Sequence, residues 1–167
     1  MTARQVVRPT VLVLLAVLAV VVWRGRMTDE ERAIRDRLSA LRGEVNASAA
    51  DGLANVTRAA RIGGYFTDEA VVDLGEGAPP IRGRDTLMGM AARLQPRTAA
   101  FRMDLDDVNV ELVPGGEAAD VTLTASFVSS SVATGEESRD AREFALVLVK
   151  SDGPWRISRI TAIDTFR

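Results

Sequence analysis

Apolar residues recur at helical spacing in the first third of the chain. Behind a capping box that runs from Thr28 to Glu31, the spacing of the apolar positions predicts an amphipathic helix. These positions lie four, three and four residues apart: Ile34, Leu38, Leu41 and Val45. A second helix is expected from about Leu53 to Phe66, weakened by Gly63 and Gly64, and a third over residues 84–94.

Beyond residue 98 the apolar period changes from helical spacing to two, which is the spacing of β-strands. The first of these strands changes phase at Asp106-Asp107, and one inserted residue restores the alternation, which predicts a β-bulge. A short strand is expected earlier, at 70–74. A polar loop is expected to end near Arg142, and the "FALVLV" run at 144–149 is apolar on both faces, as in a strand that is covered on each side.

Helices followed by long strands and tight turns predict an α+β fold, with N-terminal helices packed on a strongly curved antiparallel sheet. We expect residues 27–167 to form this domain, preceded by residues 1–26 as a membrane anchor or a signal peptide. The sequence shows no internal repeat.

Residues 9–23 are uncharged and mostly apolar, with arginines on both sides and Trp23 at the end. As a helix they would span about 22 Å, which is short of a bilayer core. The arginines at both ends can extend toward the interface and Trp23 suits it, so we expect a single transmembrane or signal-anchor helix that contacts the membrane through this segment. A cleaved signal peptide is the alternative. The arginines on the C-terminal side favour a cytoplasmic domain, whereas the layout of a short basic start before a long domain favours an extracytoplasmic one. We expect the extracytoplasmic arrangement.

The amino-acid composition excludes several kinds of catalytic and metal-binding site. The chain has no cysteine and no histidine, which excludes disulfides, thiolate nucleophiles, Ser-His pairs and the commonest metal ligand. From Met27 onward, 17 basic residues face 23 acidic ones, and a net charge of −6 argues against nucleic-acid binding. No phosphate loop, dinucleotide fingerprint or complete calcium loop occurs, so neither a cofactor nor a metal is expected. The glycosylation sequons at Asn46 and Asn55 are interpreted as chance matches.

Two stretches carry a resemblance to a known family: "YFTDEAVVDLGEGAPPIRGRDTLMGM" from residue 65 and "SDGPWRISRITAID" from residue 151. Together with the order of elements, they resemble the nuclear transport factor 2-like (NTF2-like) superfamily, which includes SnoaL-like cyclases, ketosteroid isomerase and scytalone dehydratase. The resemblance covers residues 28–164 and implies a cone-shaped domain, in which a curved sheet encloses a cavity. It also implies a homodimer formed sheet to sheet.

The catalytic residues of the superfamily do not transfer to this chain. The resemblance places the general base of the isomerases at Leu74 and the acid of their oxyanion hole near Ala145, and both positions are apolar here. The dehydratases depend on a histidine, which is absent. Tyr65 and Asp73 are the remaining candidates for an acid–base pair, although Asp73 is one position from the base and strand alternation should turn it to the opposite face.

The sequence therefore favours a membrane-anchored domain of the bacterial cell envelope that binds a small apolar ligand or an envelope protein, without the catalytic groups of the family. The alternative is a small-molecule isomerase, dehydratase or cyclase that uses Tyr65 and Asp73. Six residues are expected to line the ligand pocket: Phe66, Leu74, Met103, Phe127, Ala145 and Trp155.

Overall fold

The computed structural model of the protein describes residues 29–47, 53–75, 77–93, 98–131, 136–150 and 153–163. Helix α1 covers residues 29–46. The remaining elements follow in chain order: α2 (Leu53–Gly63), β1 (Phe66–Asp73), β2 (Ile81–Arg82), α3 (Arg84–Arg93), β3 (Thr98–Leu112), β4 (Ala118–Ser131), β5 (Glu137–Lys150) and β6 (Trp155–Ile163). The predicted α+β cone is confirmed at this level.

The apolar stripe of α1 packs against one face of the sheet, which we call the inner face. Ile34 and Leu38 are at most 3% exposed and belong to the same cluster as Val121, Leu146 and Leu148. Alternation explains the match, because residues two apart on each strand present the same face to the helix. The core therefore lies between α1 and the central strands.

The six strands are ordered β2-β1-β6-β5-β4-β3, so β3 forms one edge of the sheet. Neighbouring strands of the sheet pair antiparallel, except that β1 pairs parallel to β6. The expectation of a purely antiparallel sheet is therefore wrong for this pair. The physical reason is the long connection between them, because the chain returns to β1 only after crossing the whole sheet, and such a crossover permits parallel pairing.

The predicted bulge is confirmed in β3. Asp106 pairs with Thr124 and Asn109 with Thr122, so β3 holds one more residue than β4 in this interval. The extra residue is Asp107, whose φ of 51° lies in the left-handed region. Such a bulge increases the local twist and bends the strand, and this bend contributes to the curvature of the sheet.

Several element boundaries differ from the prediction. Helix α2 ends at Gly63 instead of Phe66, and β1 begins at Phe66 instead of Ala70. The Met88 side chain occupies the place that a Cβ atom would take at Gly63. Strand β5 begins at Glu137 instead of after Arg142, because its charged first half continues the pairing with β4 beyond the core.

The apolar run in β5 is buried on one face only. Phe144, Leu146 and Leu148 lie on the inner face and are at most 8% exposed. Ala145, Val147 and Val149 point to the opposite, outer face and are only half-buried. The prediction of a strand covered on both sides is therefore wrong for the single chain, in which the outer face is partly uncovered.

Among the described helices, none is both long and apolar enough to cross a membrane. The predicted anchor at residues 9–23 lies outside the described residues.

Candidate functional site

Three large apolar side chains lie together on the inner face, near the start of β3 and the end of β4. We call Phe101, Met103 and Phe127 the mouth. Met103 pairs directly with Phe127 across the two strands, and the ring centroids of Phe101 and Phe127 are 6.3 Å apart. Phe101 is 42% exposed and the other two are half-buried. The mouth is therefore an apolar surface that water reaches.

The last turn of α1 positions this surface. Asn46 Nδ2 donates to the Met103 carbonyl oxygen at 2.7 Å, and the Met103 N–H donates to Asn46 Oδ1 at 2.7 Å. Since β3 is an edge strand, these two bonds satisfy backbone groups that no further strand pairs. Both polar atoms of the Asn46 side chain are used, which agrees with the interpretation of its sequon as a chance match.

The second sequon is used in the same way. Asn55 Nδ2 donates to the Ala92 carbonyl oxygen at 3.0 Å and links α2 to the end of α3. Its Oδ1 accepts from Arg58 Nη2 at 3.0 Å. The amide nitrogen that a glycan would occupy is therefore a structural donor at both sites.

Charged residues stand beside the mouth. On the inner side of β5, Asp140 pairs in register with Phe127, and Arg142 Nε lies 3.5 Å from its carboxylate. On the outer side of β3, Arg102 Nε lies 2.8 Å from Asp104 Oδ2. This hydrogen bond holds the pKa of Asp104 below its ordinary value. All four charges are paired and accessible to water, which is typical of a polar rim around an apolar surface.

The opposite end of the inner face is closed by polar contacts between distant elements. We call Glu30, Arg37, Tyr65, Lys150 and Trp155 the clasp. Glu30 Oε2 accepts from Trp155 Nε1 at 2.8 Å, and Glu30 Oε1 forms an ion pair with Lys150. The hydrogen bond from Lys150, followed by the one from Trp155, lowers the pKa of Glu30 below its ordinary value.

Arg37 connects three elements within the clasp. Its Nε donates to the Trp155 carbonyl oxygen at 3.2 Å and its Nη2 to the Gly64 carbonyl oxygen at 2.7 Å. The guanidinium carbon lies 4.0 Å from the centroid of the Tyr65 ring, within the range of a cation–π contact. Tyr65 therefore serves to pack the start of β1 onto α1.

The structure does not bring Tyr65 and Asp73 together. Tyr65 immediately precedes β1 and Asp73 ends it. The two ends of β1 pair with Ile157 and Thr161, four residues apart on β6, so they are separated by roughly 13 Å. Asp73 is on the outer face, opposite to buried Ala70 and Val72, and its Oδ1 accepts from the Gly75 N–H at 3.1 Å. In this arrangement the two side chains do not form a proton-transfer pair.

The predicted pocket residues fall into separate places. Phe66 and Trp155 are 8% and 2% exposed and belong to the closed core. Ala145 is on the outer face, in register with Thr161, and Leu74 follows β1 with 43% exposure. Met103 and Phe127 are brought together at the mouth.

The sequence prediction also missed a member of the mouth. Phe101 alternates with Met103 and Leu105 before the bulge, so the same pattern that predicts the strand also places Phe101 on their face.

A hollow of about 180 Å³ lies between α1 and the bulge of β3. It is lined by Arg35, Leu38, Ser39, Arg42, Leu105 and Val108. Arg35 donates to the Val108 carbonyl oxygen at 2.6 Å and to Glu31 at 2.8 Å. Its guanidinium therefore contributes to the attachment of α1 to the edge strand.

Within the described ranges, every fully buried side chain larger than glycine is hydrophobic. The inner face therefore combines a hydrophobic interior with the partly exposed apolar surface of the mouth.

Several solved structures share this fold. A candidate scytalone dehydratase from Novosphingobium aromaticivorans is 13% identical, with 83% of this chain and 86% of that chain covered and a TM-score of 0.68. A candidate dehydratase of the NTF2-like family from Streptomyces avermitilis is 13% identical, with 84% and 99% covered and a TM-score of 0.66. An NTF2-like protein from N. aromaticivorans is 14% identical, with 87% and 90% covered and a TM-score of 0.67.

At this identity, these similarities establish the fold alone. A search of curated proteins by sequence returned no significant match. The model of the SnoaL-like domain matches residues 26–161, which is most of the chain. The chain therefore belongs to the SnoaL-like domain family, within the NTF2-like fold that the sequence resemblance implied.

Proposed function

We propose that this chain is a membrane-anchored domain of the bacterial cell envelope that binds a small apolar ligand at the mouth. The observation that carries the proposal is the contrast on the inner face, where the buried side chains are hydrophobic and large apolar side chains at one end remain accessible. An apolar surface rimmed by a few polar groups is the usual composition of a ligand site.

The mouth supplies enough surface for measurable affinity. Covering apolar area contributes about 25 cal/mol per Å², and fully burying one large apolar side chain contributes about 1.5–3 kcal/mol. Phe101 keeps 42% of its surface in water, and Met103 and Phe127 add to it. A ligand that covers all three gains several times the thermal energy. An envelope protein that inserts an apolar side chain is the other occupant expected from the sequence.

The position of α1 supports an orientation for the anchored domain. Glu30, near the start of α1, is in the clasp, whereas Asn46, near its end, is at the mouth. Residues 24–28 separate the apolar run from α1, and five residues span less than about 18 Å. The clasp end would therefore lie near the bilayer and the mouth would face away from it. For an extracytoplasmic domain, protease added to intact cells would cleave the domain and leave residues 9–23 protected.

The binding proposal is tested by titrating N-phenyl-1-naphthylamine, a fluorescent apolar probe, into the full chain in nanodiscs, with empty nanodiscs as the blank. We expect Phe101→Ser to weaken binding about tenfold, since it removes the most accessible ring of the mouth. Val113→Ser is the matched control, because Val113 is also apolar and 38% exposed but lies after β3, at the clasp end. Equal affinities of the two variants would contradict the proposal.

The second candidate is an isomerase, dehydratase or cyclase that uses Tyr65 and Asp73. The names of several structural neighbours, which are described as candidate dehydratases, support this class. Against it stands the separation of Tyr65 and Asp73 along β1. If these two residues catalyse such a reaction, the activity of the full chain should disappear in both Tyr65→Phe and Asp73→Asn. If the mouth binds the substrate and these residues take no part, only Phe101→Ser should affect the activity.

A further inference from the structure

The apolar row of the mouth continues into the hollow beside the bulge. Phe101, Met103 and Leu105 alternate along β3, so their side chains share the inner face. Leu105 also lines the hollow, together with Leu38 and Val108. Four residues of strand separate Phe101 from Leu105, a distance of roughly 13 Å. The mouth and the hollow are therefore two ends of one surface.

The hollow lies between two attachments of α1 to the edge strand. Arg35 donates to the Val108 carbonyl oxygen on one side, and Asn46 binds the Met103 backbone on the other. Met103 thus turns its N–H and its carbonyl group away from β4. Backbone groups of residues two apart on a strand point the same way, so Leu105 turns its N–H toward α1, where no further strand pairs it. This donor is open to a ligand in the hollow.

Arg42 gives the wall of the hollow a positive charge that is only weakly compensated. Its Nη1 lies 3.8 Å from Asp104 Oδ1, and that carboxylate is already bonded to Arg102 at 2.8 Å. Ser39, one turn earlier on α1, lines the hollow beside Arg42. Within the described ranges, neither the Arg42 guanidinium nor the Ser39 hydroxyl makes a hydrogen bond. Both groups can therefore donate to an anion.

The other charges near the hollow are compensated or lie outside it. Arg35 is paired with Glu31 at 2.8 Å. Asp106 and Asp107 of the bulge are exposed to water and are not among the residues that line the hollow. Since the ion pair of Asp104 with its own arginine is neutral, the wall keeps one positive charge, which one carboxylate would neutralise.

We infer that the ligand of the mouth is an amphiphile with a single carboxylate head group, an inference that rests on the proposed function. The head group binds in the hollow, where Arg42, the Ser39 hydroxyl and the Leu105 N–H donate to its oxygens. A guanidinium group suits a planar carboxylate. The apolar tail extends over Met103 to Phe101.

The size of the hollow agrees with this division of the ligand. Pockets that enclose a whole ligand measure roughly 300–1,000 Å³, whereas the hollow measures about 180 Å³. It therefore has room for a head group, and the tail lies on the open surface of the mouth.

Displacement of N-phenyl-1-naphthylamine from the full chain in nanodiscs tests the inference at neutral pH, where a fatty carboxylate is ionised. Decanoate and decanol carry tails of similar length and differ in charge. We expect Arg42→Gln to raise the decanoate concentration for half displacement about tenfold and to leave that of decanol unchanged. Each variant is compared with the parent protein for the same ligand, so partition into lipid cancels. Arg32→Gln, which removes an exposed arginine at the other end of α1, is the matched control and should change neither.

The outcomes separate this inference from the proposed function. Unchanged decanoate displacement in Arg42→Gln, or equal weakening of decanoate and decanol, would overturn the head-group site and leave probe binding at the mouth intact. If Phe101→Ser and Val113→Ser bind the probe equally, the proposed function fails, and the inference fails with it.

Asp104→Asn supplies a change of opposite sign. It removes the carboxylate that competes for Arg42, so decanoate should displace the probe at about threefold lower concentration, with decanol unchanged. Asp29→Asn, which removes an exposed acid near the clasp, is the control. A loss of packing would weaken both ligands, so it could not imitate tighter binding of decanoate alone. Unchanged or weaker decanoate binding in Asp104→Asn would exclude a carboxylate bound at Arg42.

Discussion

The two ends of the inner face differ in how completely their side chains are buried and hydrogen-bonded. At the clasp, the indole of Trp155 is 2% exposed and bonded to Glu30, and Arg37 reaches two backbone carbonyls. At the mouth, Phe101 and Phe127 contact one another but leave much of their surface in water. One sheet thus combines an end that is closed by its own contacts with an end that stays partly exposed. Substitutions at the clasp should therefore mainly lower stability, and substitutions at the mouth should mainly lower the affinity for the proposed ligand.

The largest effect is expected from truncating one aromatic side chain at each end. Trp155→Ala should lower the free energy of unfolding by about 3–5 kcal/mol, because it opens a cavity in a closed core and removes the donor to Glu30. Phe101→Ala should cost less than about 1.5 kcal/mol, since a partly exposed ring loses fewer contacts. Urea unfolding followed by circular dichroism measures both. Similar losses at the two ends would show that the mouth is as tightly packed as the clasp.

The sequence predicted the mouth better than the clasp, for a physical reason. Strand alternation is local, so it assigned Met103 and Phe127 to the inner face and placed the bulge at Asp106-Asp107 correctly. The clasp depends on contacts between residues far apart in the chain. Glu30 and Trp155 are 125 positions apart, and no local pattern relates an acid in the first turn of a helix to a tryptophan after a turn.

Periodicity also could not separate core residues from pocket residues. Phe66, Trp155 and Met103 all occupy apolar positions, and only the packing of α1 and the neighbouring strands decides which are covered. Ala145 illustrates a further limit. Its strand is apolar on both sides, so the sequence alone did not reveal which side faces the helices, and the structure places Ala145 on the outer face. The parallel pairing of β1 with β6 likewise follows from topology and not from either strand.

A smaller effect is expected from the arginine that links the clasp. Arg37→Met keeps much of the aliphatic packing but removes the donors to the Trp155 and Gly64 carbonyl oxygens and the contact with Tyr65. We expect a loss of about 2 kcal/mol in the free energy of unfolding. Arg32→Met on the same helix is the control. Its ion pair with Asp29 is largely exposed, with side chains 67% and 75% accessible, so the expected change is below about 0.5 kcal/mol.

Thermal unfolding of the two variants sharpens the comparison. If Arg32→Met were as destabilising as Arg37→Met, then the number of bonds to backbone carbonyls would not explain the stability of the clasp. Probe binding at the mouth should be unchanged in both variants, because α1 remains attached there through Asn46.

The smallest effect is a dependence of the clasp on pH. The pKa of Glu30 is held below its ordinary value of 4.5 by Lys150 and Trp155. A carboxylate with a lowered pKa contributes stability that is present above its unfolded pKa. That contribution is lost as the pH falls from about 4.5 through the folded-state value. Glu30→Gln removes this titration, so the variant should be less stable than the parent protein at pH 7, by about 1 kcal/mol.

The two proteins should converge in stability as the pH falls through the folded-state pKa of Glu30, because the protonated carboxyl group and the amide of the variant both lack the charge that pairs with Lys150. Glu31→Gln is the matched control, since Glu31 is the next residue on α1 and pairs with Arg35 outside the clasp. Urea midpoints measured from neutral pH down into the acid range give the difference directly. A gap between the parent protein and Glu30→Gln that stays constant over this range would mean that Glu30 acts through hydrogen-bond geometry alone. The clasp would then be held by its neutral contacts, as the mouth is held by the neutral hydrogen bonds of Asn46.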